Sequence, residues 1–541
     1  MYKQAPLPIR CEMQLTRRGR GAAAAEDILL PVPVELKHLV EPIKALLGAI
    51  HNRVEAAGTS AAVDYAAIER EVAEKTAGVE RAAHEVVLAR HDVDRERVTI
   101  GGEEYVRVGH GNGTYYTLSG SVQVPRALFR QVGVRNARVV DAISLRTGAI
   151  GDGWLPAAAQ AMAFLHQQAP SRDAQKTAQQ LGRLPYSRAS FERVAHEVAT
   201  QYLPQQADIE DELIQEFAIP KEARAISLAL DRTALPMEEP RKRPVGRPRR
   251  GSPKRPVSRV WHMAYCGTLT LHDQEGAALH TIRYAATPNG EADLMCEGMI
   301  VDLSRLLAKR PELKVELLGD GAPENWKLLG RVRELGIEPV ELIDLWHLLE
   351  KLFAAAVVIH GADSARSVLA QWRLRLRSAS TAVDEILSML ESSGCEHRLR
   401  DGERPVHNAI TYLRNHKARM DYAAALRAGL PIGSGAVEAT CKTLVGVRMK
   451  RCGSRWKEAT ANHVLQLRAL ALSDRFEAAM AKLFEQRRTA VRRARDLMGR
   501  IAQCESQTPP NLYIAIKLLD KLISSKSITR DADTNVSWSC P

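Results

Sequence analysis

The sequence predicts an α/β fold whose centre is a mixed sheet, preceded by mainly helical regions. Three observations carry this. Three apolar runs, Ala225–Leu230, Val315–Gly319 and Pro339–Ile343, each close on an aspartate. A strand-like pair, Trp261–Leu271 and Ala278–Tyr284, and stretches of helical periodicity separate them. Upstream, Leu36, Leu39, Val40, Ile43, Leu46, Leu47 and Ile50 recur at the three- and four-residue spacing of an amphipathic helix, and a second such pattern runs from Val63 to Leu88.

Residues 1–95 therefore read as a helical region. Residues 96–135 change character: Val98, Ile100, Tyr105, Val106, Tyr115, Val122 and Val124 are punctuated by Gly101-Gly102, Gly109, Gly111-Asn112-Gly113 and Gly120. That composition predicts a small β-rich subdomain with glycine turns. Residues 136–220 return to helix. One helix opens at Pro170-Ser171 and ends near Gly182, and Ser187 is placed to cap a second that runs through Tyr202. Two helices joined by a tight turn have the helix-turn-helix layout, with Arg188 and Arg193 on the first turns of the second helix, where base edges would be read. A plain helical hairpin gives the same pattern.

The central segments follow in a fixed order. The run ending in Asp231 is a strand. The hairpin comes next, turning at His272–Gly276, then a helix over about 291–309. The run ending in Asp320 is a strand, 323–335 is helical, and the run ending in Asp344 is a strand. Strand, hairpin, helix, strand, helix, strand is the order of the RNase H-like fold, three antiparallel strands followed by parallel ones. A carboxylate at a strand end is often only a turn former. Asp320 stands out because Gly319 and Gly321 leave room for a ligand beside it.

Between the first strand and the hairpin, residues 241–259 hold nine basic residues and no acidic one, with prolines at 244, 248, 253 and 256. Such a stretch is an extended, solvated loop. Arg241, Lys242, Arg243, Arg247, Arg249, Arg250, Lys254 and Arg255 are its candidate phosphate contacts. Its Gly246-Arg247-Pro248 core resembles an AT-hook, a segment that lies in narrow minor grooves.

The late run Gly429-Leu-Pro-Ile-Gly-Ser-Gly-Ala-Val-Glu438 leads into a helix. Ser434 is a plausible cap, Glu438 falls in the first turn, and Lys442 lies one turn on. Arg448, Lys450 and Arg451 follow as further candidates to grip phosphate. Carboxylates on separate elements suit Mg²⁺ or Mn²⁺, which take hard oxygen ligands. Two such ions can activate the attacking oxygen of an in-line displacement at phosphorus and stabilise the leaving one.

Composition sets the surroundings. Lysine and arginine outnumber aspartate and glutamate by 76 to 64, for a net charge of +12, which favours a polyanion partner. The eight cysteines form no Cys-x-x-Cys pair, as expected of reduced thiols in a cytoplasmic protein. The mixed polar and basic first residues predict no signal peptide, and with no run of eighteen apolar residues no membrane span is expected. No phosphate-cradling Gly-x-x-x-x-Gly-Lys-Ser/Thr loop and no His-Glu-x-x-His zinc motif occurs.

Leu-Asp231-Arg-Thr, Gly-Asp320-Gly-Ala with Trp326, Asp344-Leu-Trp-His347, the Gly429–Lys442 run and its continuation Arg448–Trp456 together resemble the ISKra group of bacterial insertion-sequence transposases. The resemblance covers about residues 150–476 and is most specific at 425–460. It implies that Asp231, Asp320 and Glu438 are a DDE triad holding two Mg²⁺ or Mn²⁺ ions. Asp231 and Asp320 are 89 residues apart, Asp320 and Glu438 118. The long second gap implies a helical insertion at 346–425 within a catalytic domain at 221–470. Asp344, His347 and Lys442 would support the site, with His347 not a metal ligand. Residues 471–502 are predicted as a basic helix and 503–541 as a poorly ordered tail. The implied partners are terminal inverted repeats and target DNA, with at least a homodimer on synapsed ends. An RNase H-like nuclease that cuts without joining, or an inactive transposase-derived DNA-binding protein, would carry much of the same pattern.

Overall fold

The computed structural model describes residues 32–56, 62–239, 258–290, 292–397, 399 and 402–493, and the chain has a mixed α/β architecture built around two five-stranded sheets. Helices α1 (Lys37–Ala56) and α2 (Tyr65–Ala89) pack on each other, and Asp64 caps α2 by accepting from Ala67 N. Strands β1 (Arg97–Ile100), β2 (Glu103–Thr117), β3 (Gly120–Gln131) and β4 (Val140–Asp141) form the first sheet.

Two of the expected glycine turns in this sheet are real. Gly101-Gly102 and Gly120 have positive φ. Gly109 and Gly111–Gly113, read from sequence as turns, instead lie inside β2. The reason at Gly113 is space: a Cβ there would fall 2.7 Å from Arg126 Nε. Arg126 crosses this gap to pair with Asp141 at 2.6 Å, and Asp141 also accepts from the buried Tyr115 hydroxyl at 2.7 Å.

After α3 (Ala142–Thr147), helices α4 (Pro156–Gln168), α5 (Ser171–Gln180), α6 (Arg188–Tyr202) and α7 (Gln206–Glu216) form an all-helical layer with its own core. The expected cap is present: Ser187 accepts from Ser190 N. Phe191, Val194, Ala195, Val198 and Ala199 form the buried face of α6, leaving Arg188 and Arg193 exposed.

The second sheet holds β5 (Ala225–Glu238), β6 (Arg259–His272), β7 (Ala278–Ala286), β8 (Lys314–Gly319) and β9 (Val340–Ile343), in the order β7-β6-β5-β8-β9. β5, β6 and β7 are antiparallel, and β5, β8 and β9 are parallel. Helices α8 (Ala292–Lys309) and α9 (Pro323–Leu329, continued by a 3₁₀ turn to Leu335) make the crossovers. β5 does not stop at Asp231 as the sequence predicts. It runs on to Glu238 beside β6, and only its parallel pairing ends at Leu230, because β8 ends at Gly319.

Residues 345–427 are mainly helical where described, with α10 (Leu345–Ser378), α11 (Ala382–Ser392), α12 (Pro405–His416) and α13 (Tyr422–Arg427). α10 is long and apolar enough to cross a membrane by length and composition alone. Its backbone leaves helical geometry at Gly361, and Leu348, Leu349 and Leu352 are buried in the core of the second sheet. The chain continues through α14 (Gly435–Thr440), a π turn over Cys441–Gly446, α15 (Val447–Met449), α16 (Glu458–Leu472) and α17 (Phe476–Arg487).

The predicted basic helix needs correction. α17 ends at Arg487, and Val491–Arg493 is a strand, β10, antiparallel to β1 at the edge of the first sheet. That edge supplies backbone partners that the sequence pattern does not reveal. Residues 503–541 lie outside the described residues.

Candidate active site

Strand register brings the aspartates together. Leu230 pairs with Gly319, and Gly319 pairs with Ile343. Asp231, Asp320 and Asp344 are the next residues on three neighbouring parallel strands, at a spacing of roughly 4.8 Å per strand. Asp320 and Asp344 lie one residue past the ends of β8 and β9.

Asp320 is held by its own loop. Its Oδ1 accepts from Ala322 N at 3.0 Å and from Asn325 Nδ2 at 3.1 Å, and Trp326 Nε1 donates to its carbonyl at 2.6 Å. Asn325 Nδ2 also reaches the Leu230 carbonyl at 3.4 Å, so one buried amide ties the β5 and β8 ends together. Asp231 Oδ1 accepts from Arg232 N at 2.6 Å, and its Oδ2 meets only the Cys441 thiol at 3.5 Å among the described residues. Contact with Cys266, burial and Asp231 all push the Cys441 thiol up, so it stays protonated.

Asp344 does different work. It is fully buried and caps α10, its Oδ1 accepting from Trp346 N at 2.6 Å and His347 N at 3.2 Å. Its Oδ2 accepts from both the backbone N–H and the hydroxyl of Ser434. Burial alone would raise its pKa, but the donors from His347 and Ser434 outweigh it and hold the carboxyl at about 2. In turn the Asp344 carboxylate raises His347 to about 9, against burial and with help from Asp320. The His347 Nδ1–Asp344 Oδ1 separation is 3.6 Å, an ion pair longer than a hydrogen bond.

This explains the glycine-rich run before Glu438. Gly429 has φ 73°, and a Cβ on it would sit 2.4 Å from the Gln274 carbonyl in the β6–β7 turn. A Cβ on Gly433 would meet the Trp346 ring at 3.2 Å. Between them the Ile432 carbonyl accepts from Leu345 N at 3.0 Å. The run is laid across the sheet end and delivers α14 with Glu438 in its first turn. Ser434 holds the N-cap position without a side-chain cap, because its hydroxyl is spent on Asp344. Glu438 is paired to the exposed Lys442 at 3.3 Å.

One potential ligand atom each of Asp344, His347 and Glu438 lie within 4.8 Å of one another, and that is the tightest such trio among the described residues. Asp231 and Asp320 are neighbours by register but are not in it. Two members of the trio are poor ligands as they stand. Both Asp344 oxygens already accept hydrogen bonds, and the Asp344 carboxylate favours a proton on His347, against which a metal would have to compete. Asp320 Oδ2, which has no partner among the described residues, Asp231 Oδ2, met only by a thiol at 3.5 Å, and Glu438 are hard donors that suit Mg²⁺ or Mn²⁺.

No protein-family model matches the chain, and no curated protein matches it.

Of the predicted DNA contacts, Arg448 is overturned. It is buried, its Nε and Nη2 donate to the His166 carbonyl at 3.2 and 3.0 Å, and it stacks on Trp456. Arg468 binds the Gln167 carbonyl at 3.1 Å, so two arginines satisfy the last carbonyls of α4. Burial lowers Arg448 to about 10. Lys450 and Arg451 are exposed, bonded to Thr233 Oγ1 at 2.6 Å and Asp173 at 2.8 Å. Arg193 pairs with Asp152 at 3.1 Å. Arg241, Lys242, Arg243, Arg247, Arg249, Arg250, Lys254 and Arg255 lie outside the described residues.

Sequence reasoning missed Asn325, Tyr412 and His416. The last two come from α12 and press on Gly321, where a Cβ would lie 2.7 Å from Tyr412 Cε2 and 2.9 Å from His416 Nε2. The Tyr412 hydroxyl and His416 Nδ1 are buried with no hydrogen-bond partner among the described residues. The glycine at 321 was the one signal: its lack of a side chain is what admits them.

Proposed function

We propose that this chain is a DDE transposase that cuts the ends of its element and joins the exposed 3′-hydroxyls to target DNA. The observation that carries the reading is the register of Leu230 with Gly319, which sets Asp231 beside Asp320 on the sheet end that also receives the Glu438 helix. The order β7-β6-β5-β8-β9, three antiparallel strands and then two parallel ones, supports an RNase H-like core. The helices at 345–427 fit the insertion expected before the glutamate helix.

Asp231, Asp320 and Glu438 would hold the divalent cations. When bound, the ions supply activation of the attacking oxygen and charge stabilisation of the leaving one. The residues of the chain do the positioning. Asn325 fixes Asp320 against the β5 end, Asp344 anchors the loop that carries Glu438, and His347 balances the buried Asp344 charge. Lys442, one turn after Glu438, is exposed where a phosphate would approach. The exposed Arg188, Arg193, Lys450 and Arg451 and the basic segment 241–255 supply phosphate contacts, and α5–α6 reads the terminal repeats.

The test is incubation of the purified chain with labelled element ends and either Mg²⁺ or EDTA. Nicking and strand transfer are expected with Mg²⁺ and lost in Asp231→Asn, Asp320→Asn and Glu438→Gln. Nicking with no joined product would make the chain a nuclease instead.

A further inference from the structure

Beyond Asp231 the β5–β6 pair continues as a two-stranded ribbon, and one of its faces is unusual. Arg259, Trp261, Met263 and Tyr265 alternate along β6 and so share a face. In register beside them on β5 stand Glu238, Pro236, Ala234 and Arg232. Trp261 is 51% exposed and Met263 46%. Two neighbouring large apolar side chains this open to water mark a surface that takes a partner. Cations bracket them: the Arg259 guanidinium lies 5.0 Å from the Trp261 ring centre, and the Arg232 guanidinium 5.8 Å from that of Tyr265. Glu238 stands opposite Arg259 at the far end of the face, and Glu324 of α9 pairs with Arg232 at 3.4 Å at its near end.

We infer that this ribbon face is a stacking platform for unpaired bases of a nucleic-acid strand entering the active site. Flat rings flanked at both ends by guanidinium groups suit an occupant that offers π faces on a negatively charged backbone. Duplex DNA offers no free base faces, so the platform selects a frayed or single-stranded segment. Its place fits. Arg232 directly follows Asp231, and β8 stops at Gly319, so the edge of β5 from Asp231 to Leu235 has no strand beside it. Asp231 points to the opposite face, and a strand stacked on Tyr265 and Trp261 reaches it past that edge, where the Lys450 ammonium bonded to Thr233 would meet its backbone. The inference rests on the nucleic-acid reading above and specifies the form of the substrate.

The test compares binding of fluorescein-labelled oligodeoxythymidylate and of a labelled duplex to the full chain by anisotropy, in EDTA so that nothing is cut. In the double variant Trp261→Ala/Met263→Ala, single-strand affinity is expected to fall about tenfold or more, with duplex affinity within about twofold of wild type. Trp261→Phe, which keeps a ring, should retain most of the single-strand affinity. Unchanged single-strand affinity, or an equal fall for both ligands, overturns the platform. So does a drop in oligomeric state of the double variant in sedimentation, which would make the face a contact between copies of the chain. Wild type that binds neither ligand would instead remove the nucleic-acid reading itself, whereas duplex binding with an indifferent double variant would remove the platform alone.

Discussion

Asp344 and Ser434, ninety residues apart, are joined by two hydrogen bonds from the serine's N–H and hydroxyl to one buried carboxylate oxygen. This junction locks the loop before Glu438 onto the end of β9. The same carboxylate caps α10 with its other oxygen. One side chain therefore couples the sheet, helix α10 and the helix that carries Glu438.

Asp344→Ala should be among the most damaging single changes in the chain. It strands the Ser434 donors, removes a helix cap and leaves His347 without its counter-charge. A loss of about 3–5 kcal/mol is expected, read as a lower urea midpoint. Asp320→Asn, which keeps an acceptor for Ala322 N, should change stability by about 1 kcal/mol or less while removing metal-dependent activity. An Asp344→Ala protein as stable as wild type would contradict the bracing role.

Arg448→Ala should destabilise by about 3 kcal/mol, because the α4 carbonyl it satisfies is buried. Its effect on the salt dependence of DNA binding should be small. Lys442→Ala should change stability by less than about 1 kcal/mol, since its pair with Glu438 is solvent-exposed. Thermal and urea unfolding of both variants check this contrast.

Arg247→Ala/Arg249→Ala/Arg250→Ala should weaken DNA binding and flatten its salt dependence, with the log–log slope falling by roughly 0.9 for each phosphate that is no longer neutralised. Binding isotherms between low and moderate salt measure it. An unaltered slope would remove the basic segment from the interface.

Asp302 gives the pH prediction. It is buried, accepts from Tyr284 at 2.7 Å, and lies 3.4 Å from Arg475. Burial raises its carboxyl to about 6 despite Arg475, so the folded chain holds this proton more tightly than the unfolded chain does. The resulting stability is fully present below about pH 4 and is lost as pH rises through about 6, on the order of 2–3 kcal/mol. In Asp302→Asn that part of the decline between pH 4 and 6 should disappear from urea midpoints.

The second sheet was legible because its strands are apolar runs bounded by turn residues, and the aspartates after Leu230, Gly319 and Ile343 stand where those runs stop. Other features depended on distant partners. Gly111–Gly113 resemble a turn, yet Gly113 is small because Arg126 must pass it to reach Asp141. Arg448 sits in a charge run like its exposed neighbours, and nothing local announces the α4 terminus that buries it. Val491–Arg493 follow a helix and become a strand only because β1 offers an edge. Tyr412 and His416 reach Gly321 across more than ninety residues of chain, a proximity that helical periodicity does not encode. Asp344 was readable as a helix cap, but its hold on Ser434 was not.

The most direct test is a crystal structure of the chain with Mn²⁺, with the ions located by anomalous scattering. Manganese is expected on Asp231, Asp320 and Glu438, with Asp344 still bonded to Ser434. Manganese held instead by Asp344, His347 and Glu438, with Asp231 and Asp320 unliganded, would contradict the proposed triad.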